Sequence, residues 1–248
     1  MAQDGPLNSI TAIVKMRALV AISLVVATLS GCTSAGNAIL QTLPHAYGRN
    51  PGVDSVRLNP SFRYLRVTVG GRVVLLALGN LDSDFNGPIE VWYSAEREVL
   101  RLQNGRVVGA VGLTTEWRNV TSSEEPSWAV AARSNQSLHW TRTRDVMPGY
   151  RFGVKDKLSL REVKVPSRSA LQGLDPMRLR WFEERAESRP GSTFFGNAAD
   201  APLPPARFAV EIQSDQATVV YGEQCLAADL CFTWQRWPVQ AQSAVGQK

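Results

Sequence analysis

The sequence predicts an all-β fold, namely a single antiparallel β-sandwich or partly open barrel built from consecutive hairpins. Three observations favour this fold class. Short strand-like runs recur about every ten residues from Phe62 onward, and several of them alternate apolar and polar residues. Gly, Pro and Asn separate the runs. Almost no helical periodicity is present, so we expect one domain made of strands.

The first hairpin is predicted at the start of this region. Residues 62–69 alternate, with Leu65 and Val67 on one face of the predicted strand. Gly70-Gly71 follows and is a strong signal for a two-residue turn. Residues 72–78 are an aliphatic run typical of a buried strand, which completes the hairpin.

The clearest turn signal lies further on. Residues 98–102 and 106–111 flank Gln103-Asn104-Gly105, and Asn-Gly supplies the positive φ angles that a tight hairpin requires. Residues 186–206 contain four prolines and are predicted to be a long loop or insertion. The remaining predicted strands are residues 89–94, 127–133, 139–143, 150–154, 158–165, 177–184, 207–212, 218–221 and 232–237.

The N-terminus has the pattern of an export signal. Lys15 and Arg17 precede an uncharged apolar run at residues 18–29, and Ser30-Gly31-Cys32 follows it. A membrane-spanning helix needs roughly 20 apolar residues, more than this run provides. The order positive, apolar, small, cysteine predicts a lipoprotein signal peptide at residues 1–31 with lipidation at Cys32; a plain signal peptide with an incidental cysteine is the alternative.

The residue after the cysteine helps to predict whether the lipoprotein resides in the inner or the outer membrane. Thr33 is not the Asp that retains many lipoproteins in the inner membrane, so we expect the periplasmic face of the outer membrane. Two or three acyl chains on Cys32 give stable attachment, whereas one chain binds a membrane only marginally. Met16 is an alternative start of translation to Met1.

The mature chain divides into three parts. We expect a lipid-anchored tether at residues 32–60, a β-rich domain at 61–238 and a disordered polar tail at 239–248. Removal of the leader lowers the net charge from +5 to +4, because Lys15, Arg17 and Asp4 leave with it. This mild positive charge, without a Lys/Arg run, argues against a nucleic-acid partner.

Two cysteines remain after processing. Cys225 and Cys231 are separated by five residues, and pairing is expected in an oxidising compartment. A metal site or a redox pair is the alternative, for which only His45 and His139 supply imidazole. We therefore predict a structural disulfide, with no metal and no cofactor.

No motif of a known enzyme class is present. The sequence lacks a Gly-x-Ser-x-Gly elbow, a phosphate-binding loop and a zinc-ligand spacing. Glu90, Glu116, Asp145 and Asp156 lie near strands or turns, and two of them together would be able to cleave sugars by acid–base catalysis. The prediction is a protein that is not an enzyme, with a polysaccharide-modifying carboxylate pair as the alternative.

Tryptophan is abundant, with seven residues. We expect four or five of them in the core and one or two at the surface, where indole rings stack on sugar faces. Trp234 and Trp237 face opposite ways on a two-residue period, so at most one points inward. Trp117 next to Arg118, if exposed, would suit an anionic glycan.

Several blocks of the sequence carry a family resemblance, and they are most specific at Trp92-Tyr93-Ser94 and Asn104-Gly105-Arg106. The other blocks are Val56-Arg57-Leu58-Asn59-Pro60, Arg63-Tyr64-Leu65-Arg66-Val67, Gly71-Arg72-Val73-Val74-Leu75, Glu90-Val91, Leu100-Arg101-Leu102-Gln103, Gly112-Leu113, Glu116-Trp117-Arg118 and Arg142-Thr143-Arg144-Asp145-Val146-Met147-Pro148-Gly149-Tyr150. Together they resemble the YjbF/GfcB family of lipoproteins, which belongs to exopolysaccharide and group 4 capsule systems.

The resemblance implies a role in producing or secreting an extracellular polysaccharide, through a partner protein of the export system or through the polymer itself. The binding candidates in the resembling blocks are Trp92, Tyr93, Arg106, Trp117 and Arg118. Structural roles account for the same residues: aromatic core for Trp92 and Tyr93, and an exposed charge at a turn for Arg106.

Overall fold

The computed structural model describes residues 57–187, 202–213 and 216–239. The leader at 1–31, Cys32, His45, most of the predicted tether and nearly all of the tail at 239–248 lie outside the described residues. So do residues 188–201 of the predicted insertion.

The described chain is almost entirely β-strand, which confirms the predicted fold class. Each strand pairs antiparallel with its neighbours in sequence, so the sheet is a succession of hairpins. The strands are β1 (Tyr64–Val69), β2 (Arg72–Asp82), β3 (Ile89–Tyr93), β4 (Val99–Gln103), β5 (Arg106–Val111), β6 (Glu116–Ser123), β7 (Leu138–Met147), β8 (Arg151–Val163), β9 (Arg180–Ala186), β10 (Ala206–Gln213), β11 (Gln216–Ala227) and β12 (Leu230–Trp237).

The sheet closes on itself. β1 pairs with β2 through the Gly70–Gly71 turn and also with β12, from Tyr64 opposite Trp237 to Val69 opposite Phe232. All twelve strands therefore form one ring with no free edge among them. Closure satisfies the backbone donors and acceptors that an open sheet would leave at its two edge strands.

Opposite walls of this ring touch, so its interior is filled rather than hollow. The Trp117 indole on β6 donates to the Leu226 carbonyl of β11 at 3.0 Å. The Gln224 amide on β11 accepts from the Val107 N–H at 3.1 Å and donates to the Gly105 carbonyl at 3.2 Å. The fold thus has the continuous pairing of a barrel and the facing, interdigitated walls of a sandwich.

One predicted strand is wrong, because residues 127–133 contain a short helix. The helix, α1 (Trp128–Arg133), follows Ser127, whose side chain accepts a hydrogen bond from the Val130 N–H. Three of its six residues are alanine, the residue with the highest helix propensity. Trp128 and Ala131 lie three residues apart on one helical face and are both buried in the core.

An outer layer covers part of the sheet. The connection between β8 and β9, residues 164–179, packs Leu174 and Leu179 against the outer face of β9 to β11. Its backbone is fixed by Ala170 N–H to the Tyr221 hydroxyl at 2.9 Å. Because of this layer, β9 begins at Arg180, after a short 3-10 turn (Pro176–Arg178), and not at residue 177 as predicted.

Cys225 and Cys231 form the predicted disulfide. They lie directly opposite each other on β11 and β12, next to the turn that joins these strands. The bond therefore holds a hairpin that the strand pairing already aligns.

Candidate functional site

Strand alternation decides which of the predicted binding residues reach solvent. Trp92 and Trp117 are 0% and 2% exposed and belong to the core, whereas Tyr93 is 46% exposed. The Arg118 side chain is 52% exposed and pairs with Glu116. Trp117 and Arg118 thus lie on opposite faces of β6, and the expected surface pair of tryptophan and arginine does not form.

The seven tryptophans are more buried than expected. Trp237 is the half-buried one, and it lies on the outer face next to the buried Trp234, as the two-residue period predicts. The six buried tryptophans are Trp92, Trp117, Trp128, Trp140, Trp181 and Trp234. These six side chains expose almost none of their surface to solvent.

Arg106 was expected to be an exposed charge, and this expectation is wrong. Its side chain turns inward and bonds Glu184 at 2.9 Å and Glu125 at 3.0 Å. Its guanidinium carbon lies 4.1 Å from the centre of the Trp128 ring, a cation–π distance. Two acids and an indole compensate the burial of this charge, so Arg106 is a core residue.

Two further arginines continue this charged cluster inside the ring. Arg142 and Arg144 both bond the Asp156 carboxylate, at 3.0 and 2.7 Å, and Arg142 also approaches Glu184 at 3.5 Å. Burial by itself raises the pKa of Asp156. The hydrogen bond from Arg144 and the charges of Arg142 and Arg144 outweigh that effect and hold the pKa below its usual value.

The buried cluster is balanced in charge and closed to ligands. It unites three arginines with Glu125, Asp156 and Glu184, and the Trp117 ring lies under Arg142 and Arg144 at 4.7 and 4.9 Å. The cavity beside it, near Trp117 and Glu184, has a volume of about 20 Å³, close to that of one water molecule. This cluster stabilises the core and offers no space for a substrate.

The carboxylates considered for catalysis are engaged separately. Glu90 bonds Arg236 at 3.0 Å, and Glu116 bonds Arg118. Asp145 accepts from the Gly153 N–H at 2.8 Å, and Asp156 belongs to the buried cluster. His139 lies exposed at the start of β7, 3.7 Å from Glu187. No two of these four carboxylates line the same one of the clefts described below: Glu90 lines the first, together with Glu211, and Glu116 lines the second.

A groove of about 830 Å³ lies at the end of the ring where β1 begins and β12 ends. We call it the end groove. The β8–β9 connection forms one side, and the outer face of β10 and β11 contributes to the floor. Its lining residues are Leu58, Asn59, Pro60, Phe62, Arg63, Tyr64, Glu90, Trp92, Leu174, Leu179, Glu211, Thr218, Val220, Arg236, Trp237, Pro238 and Val239.

Aromatic rings and charges share the lining of the end groove. Phe62 is 51% exposed and lies edge-on to Tyr64, with ring centres 6.4 Å apart. The Trp237 ring lies directly across the β1–β12 pair from Tyr64. Arg236 and Glu90 pair at 3.0 Å, which neutralises one charge of each sign. Apolar faces beside polar groups are the usual composition of a ligand site.

A second, shallower depression of about 580 Å³ lies at the other end of the strands. Leu113, Glu116, Arg118, Pro148 and Tyr150 line it. Tyr150 is exposed at the β7–β8 turn, and Phe152 is exposed nearby. Arg118, a predicted binding candidate, therefore lies at the opposite end of the molecule from the end groove.

Most end-groove residues escaped the sequence analysis because they come from distant parts of the chain. Phe62 to Tyr64 lie before and at the start of β1, Glu211 on β10, and Arg236 and Trp237 at the end of β12. One signal was available: Phe62 and Tyr64 alternate with the core residues Leu65 and Val67 and so place two aromatic rings on the outer face.

No helix in residues 57–187, 202–213 or 216–239 is long and apolar enough to cross a membrane. The same residues contain no group of three or more His, Cys, Asp or Glu side chains arranged to hold a metal ion.

Fold and cleft together define an all-β domain with an open, aromatic-lined surface groove. Comparison with known families gives a more specific assignment: the family model described as group 4 capsule polysaccharide lipoprotein gfcB, YjbF matches residues 56–197. The match covers more than half of the sequence, so the chain belongs to this family. The matched region contains β1 to β9 and ends before β10.

Two solved protein chains are similar to this one. One is the crystal structure of the hypothetical lipoprotein YmcC from Escherichia coli K12, with 18% sequence identity and a TM-score of 0.49. The alignment covers 74% of this chain and 86% of that one. A likeness at this level supports no inference about function. No curated protein matches the chain.

Proposed function

We propose that this protein is an accessory lipoprotein of capsule or exopolysaccharide production or secretion, anchored on the periplasmic face of the outer membrane. Membership of the group 4 capsule polysaccharide lipoprotein family is the observation that carries the proposal. The protein acts by binding, either to a partner protein of the export system or to the polymer, and not by catalysis.

The anchor in this proposal is Cys32, exposed as the first residue after removal of the leader at 1–31. Lipidation there holds the β-domain at the membrane through a segment of 24 residues, 33–56. At about 3.3 Å per residue, such a segment spans at most roughly 80 Å when fully extended. The domain therefore works close to the outer membrane while keeping freedom to reach a neighbouring protein.

The role in polymer production is tested by deleting the gene and measuring cell-surface polysaccharide. We expect the deletion to lower the polymer and the native gene to restore it. Unchanged polymer in the deletion strain would reject the role.

The anchor is tested in the same strain with three variants. Cys32→Ala abolishes acylation and is expected to fail in rescue, whereas Thr33→Ala keeps the lipidated cysteine and is expected to rescue fully. Thr33→Asp is expected to move the protein to the inner-membrane fraction. Mass spectrometry of the N-terminal peptide checks acylation, and full rescue by Cys32→Ala would show that anchoring is not needed.

A further inference from the structure

We propose that the end groove binds a segment of an acidic polysaccharide whose acid groups are carboxylates, with Arg63 as the cation that receives one of them. The inference rests on the function proposed above and chooses the polymer, rather than a partner protein, as the ligand. Four features of the groove support it: shape, aromatic lining, charge and rigidity.

The shape fits a chain segment. A volume of about 830 Å³ lies within the range of roughly 300–1,000 Å³ typical of small-ligand sites. The cleft is open to solvent, so a few sugar units of a longer polymer would be able to enter it. Protein partners instead cover broad surfaces of about 800 Å² on each side. A concave groove of this size is better matched to a few sugar units than to a protein face.

The aromatic lining fits sugar rings. Phe62, Tyr64 and Trp237 all line the groove, and Phe62 projects far into solvent. Flat rings pack against the C–H faces of sugars, and the Tyr64 hydroxyl and Trp237 indole add polar edges. The Tyr64 hydroxyl is held by Asn59, whose backbone N–H donates to it at 3.2 Å, so the ring has a fixed position.

The groove is lined by two arginines and two glutamates, and one of the arginines is available to an anionic ligand. Glu90 and Arg236 neutralise each other, and Glu211 also has an interaction partner. Arg63 is exposed and makes no ion pair or side-chain hydrogen bond within the described residues. A guanidinium with free donors at the edge of an aromatic cleft suits a carboxylate, which accepts two parallel hydrogen bonds from it.

Hydrogen bonds within the chain hold the walls of the groove. Gln172 of the β8–β9 connection exchanges two hydrogen bonds with Gln235 of β12, at 2.9 and 2.7 Å. The Trp181 indole donates to the Pro176 carbonyl at 3.0 Å and fixes the end of the same connection. A site that is preformed loses little conformational entropy on binding.

The test uses the full-length lipoprotein in detergent, titrated by calorimetry with surface polysaccharide purified from the strain that carries the gene. The second probe is the same polysaccharide after chemical reduction of its carboxyl groups to alcohols. We expect the native polymer to bind and carboxyl reduction to weaken binding about tenfold or more, as loss of one charge-assisted hydrogen bond would. Equal binding of both polymers would overturn the acidic specificity, and absence of binding would overturn the site.

Matched variants locate the site. Arg63→Ala is expected to weaken binding of the native polymer by about tenfold, and Phe62→Ala by about threefold to tenfold. Both residues are exposed, so circular dichroism should show an unchanged fold. Arg97→Ala, at an exposed arginine between β3 and β4, and Phe152→Ala remove an arginine and a phenylalanine away from the groove and should bind as the unmodified protein does. Equal losses in all four variants, or no loss in the first two, would overturn the assignment to the end groove.

Failure of this inference is distinguishable from failure of the proposed function. If gene deletion lowers surface polymer but the purified protein does not bind it, the groove assignment is wrong and the accessory role stands. If the protein binds polymer through Arg63 but deletion leaves the polymer unchanged, the accessory role is wrong and the binding site stands.

Discussion

At the scale of single residues, the most consequential group is the Asp156 carboxylate in the interior of the ring. It accepts hydrogen bonds from both Arg142 and Arg144, and its side chain is 9% exposed. A buried ion pair contributes little more to the free energy of unfolding than apolar side chains packed in the same place. Removal of one partner is costly because the other charges stay buried without compensation.

Asp156→Asn is therefore expected to lower the free energy of unfolding by about 3 kcal/mol at pH 7. The pKa of Asp156 is depressed in the folded state, so its stabilising contribution is complete above the unfolded-state pKa of about 4 and disappears as the pH falls through the folded-state value. The difference between native protein and variant should thus shrink in acid. Urea unfolding at pH 7 and at successive pH values below 4 measures it.

A surface ion pair provides the control for this prediction. Asp82 bonds Arg101 at 2.7 Å, but both side chains are more than a third exposed. Asp82→Asn should cost at most about 1 kcal/mol. If both variants cost the same, or if the cost of Asp156→Asn does not change with pH, the account of the buried cluster is wrong.

At the scale of elements, the Asn104–Gly105 hairpin shows what a local signal contains and what it lacks. Both residues have positive φ angles, +50° and +81°, as the Asn-Gly pair predicts. The turn also folds over the end of the core, where Gly105 meets Val219 of β11 and the Trp128 indole donates to the Asn104 carbonyl. Contacts between residues more than a hundred positions apart leave no trace in the turn sequence.

The glycine of this turn is needed twice, for conformation and for space. A Cβ at position 105 would lie 2.6 Å from the Val219 Cβ, whereas a Cβ at Gly70, also at positive φ, would meet nothing within 4 Å. Gly70→Ala should cost only the left-handed strain of about 1–2 kcal/mol. Gly105→Ala should cost that plus about 1–3 kcal/mol of overpacking. Thermal and urea unfolding compare the stabilities of the two variants. Equal losses of stability would show that the Val219 side chain moves aside without destabilising the fold.

Helix α1 was misread as a strand because a run of six mostly apolar residues fits a buried strand and a buried helical turn equally well. Its start depends on Ser127, which accepts from the Val130 N–H at 3.3 Å. Ser127→Ala is expected to cost about 1 kcal/mol in unfolding experiments. Ser137→Ala, an exposed position outside the helix, should change stability by less than half of that. A cost no larger than that of Ser137→Ala would argue against the cap.

At the scale of the whole molecule, most strands and the succession of hairpins followed from alternation and turn residues, because both are local. β6 was not predicted, and β8 was predicted as two strands, 150–154 and 158–165. Ring closure did not follow, since it depends on the curvature accumulated over twelve strands and on the pairing of β1 with β12. Arg106 was also predicted to face solvent, whereas it faces the interior. Its partner there, Glu184, lies 78 positions away in the sequence, so no local pattern indicates the pair. The end groove was missed for the same reason, since residues 62–64 and 236–237 meet only when the ring closes.

Closure also predicts that the family-matched region does not fold alone. That region ends at residue 197, but β10 to β12 complete the ring and supply Gln224 and Leu226, the partners of Val107 and Trp117 on the opposite wall. A chain ending at residue 205 would leave β1 and β9 as open edges. It would also lack Gln224 and Leu226, so Val107 and Trp117 would each lose a hydrogen-bond partner in the core.

We expect the chain ending at residue 205 to lose its near-ultraviolet circular dichroism and its cooperative urea transition, because the interior is one shared core and not a set of independent hairpins. A chain ending at Val239 removes only nine residues beyond the ring and should unfold like the full protein, with the same midpoint and slope. A cooperative transition of comparable slope in the shorter chain would mean that β1 to β9 form a stable sheet by themselves and that closure is not what holds the fold.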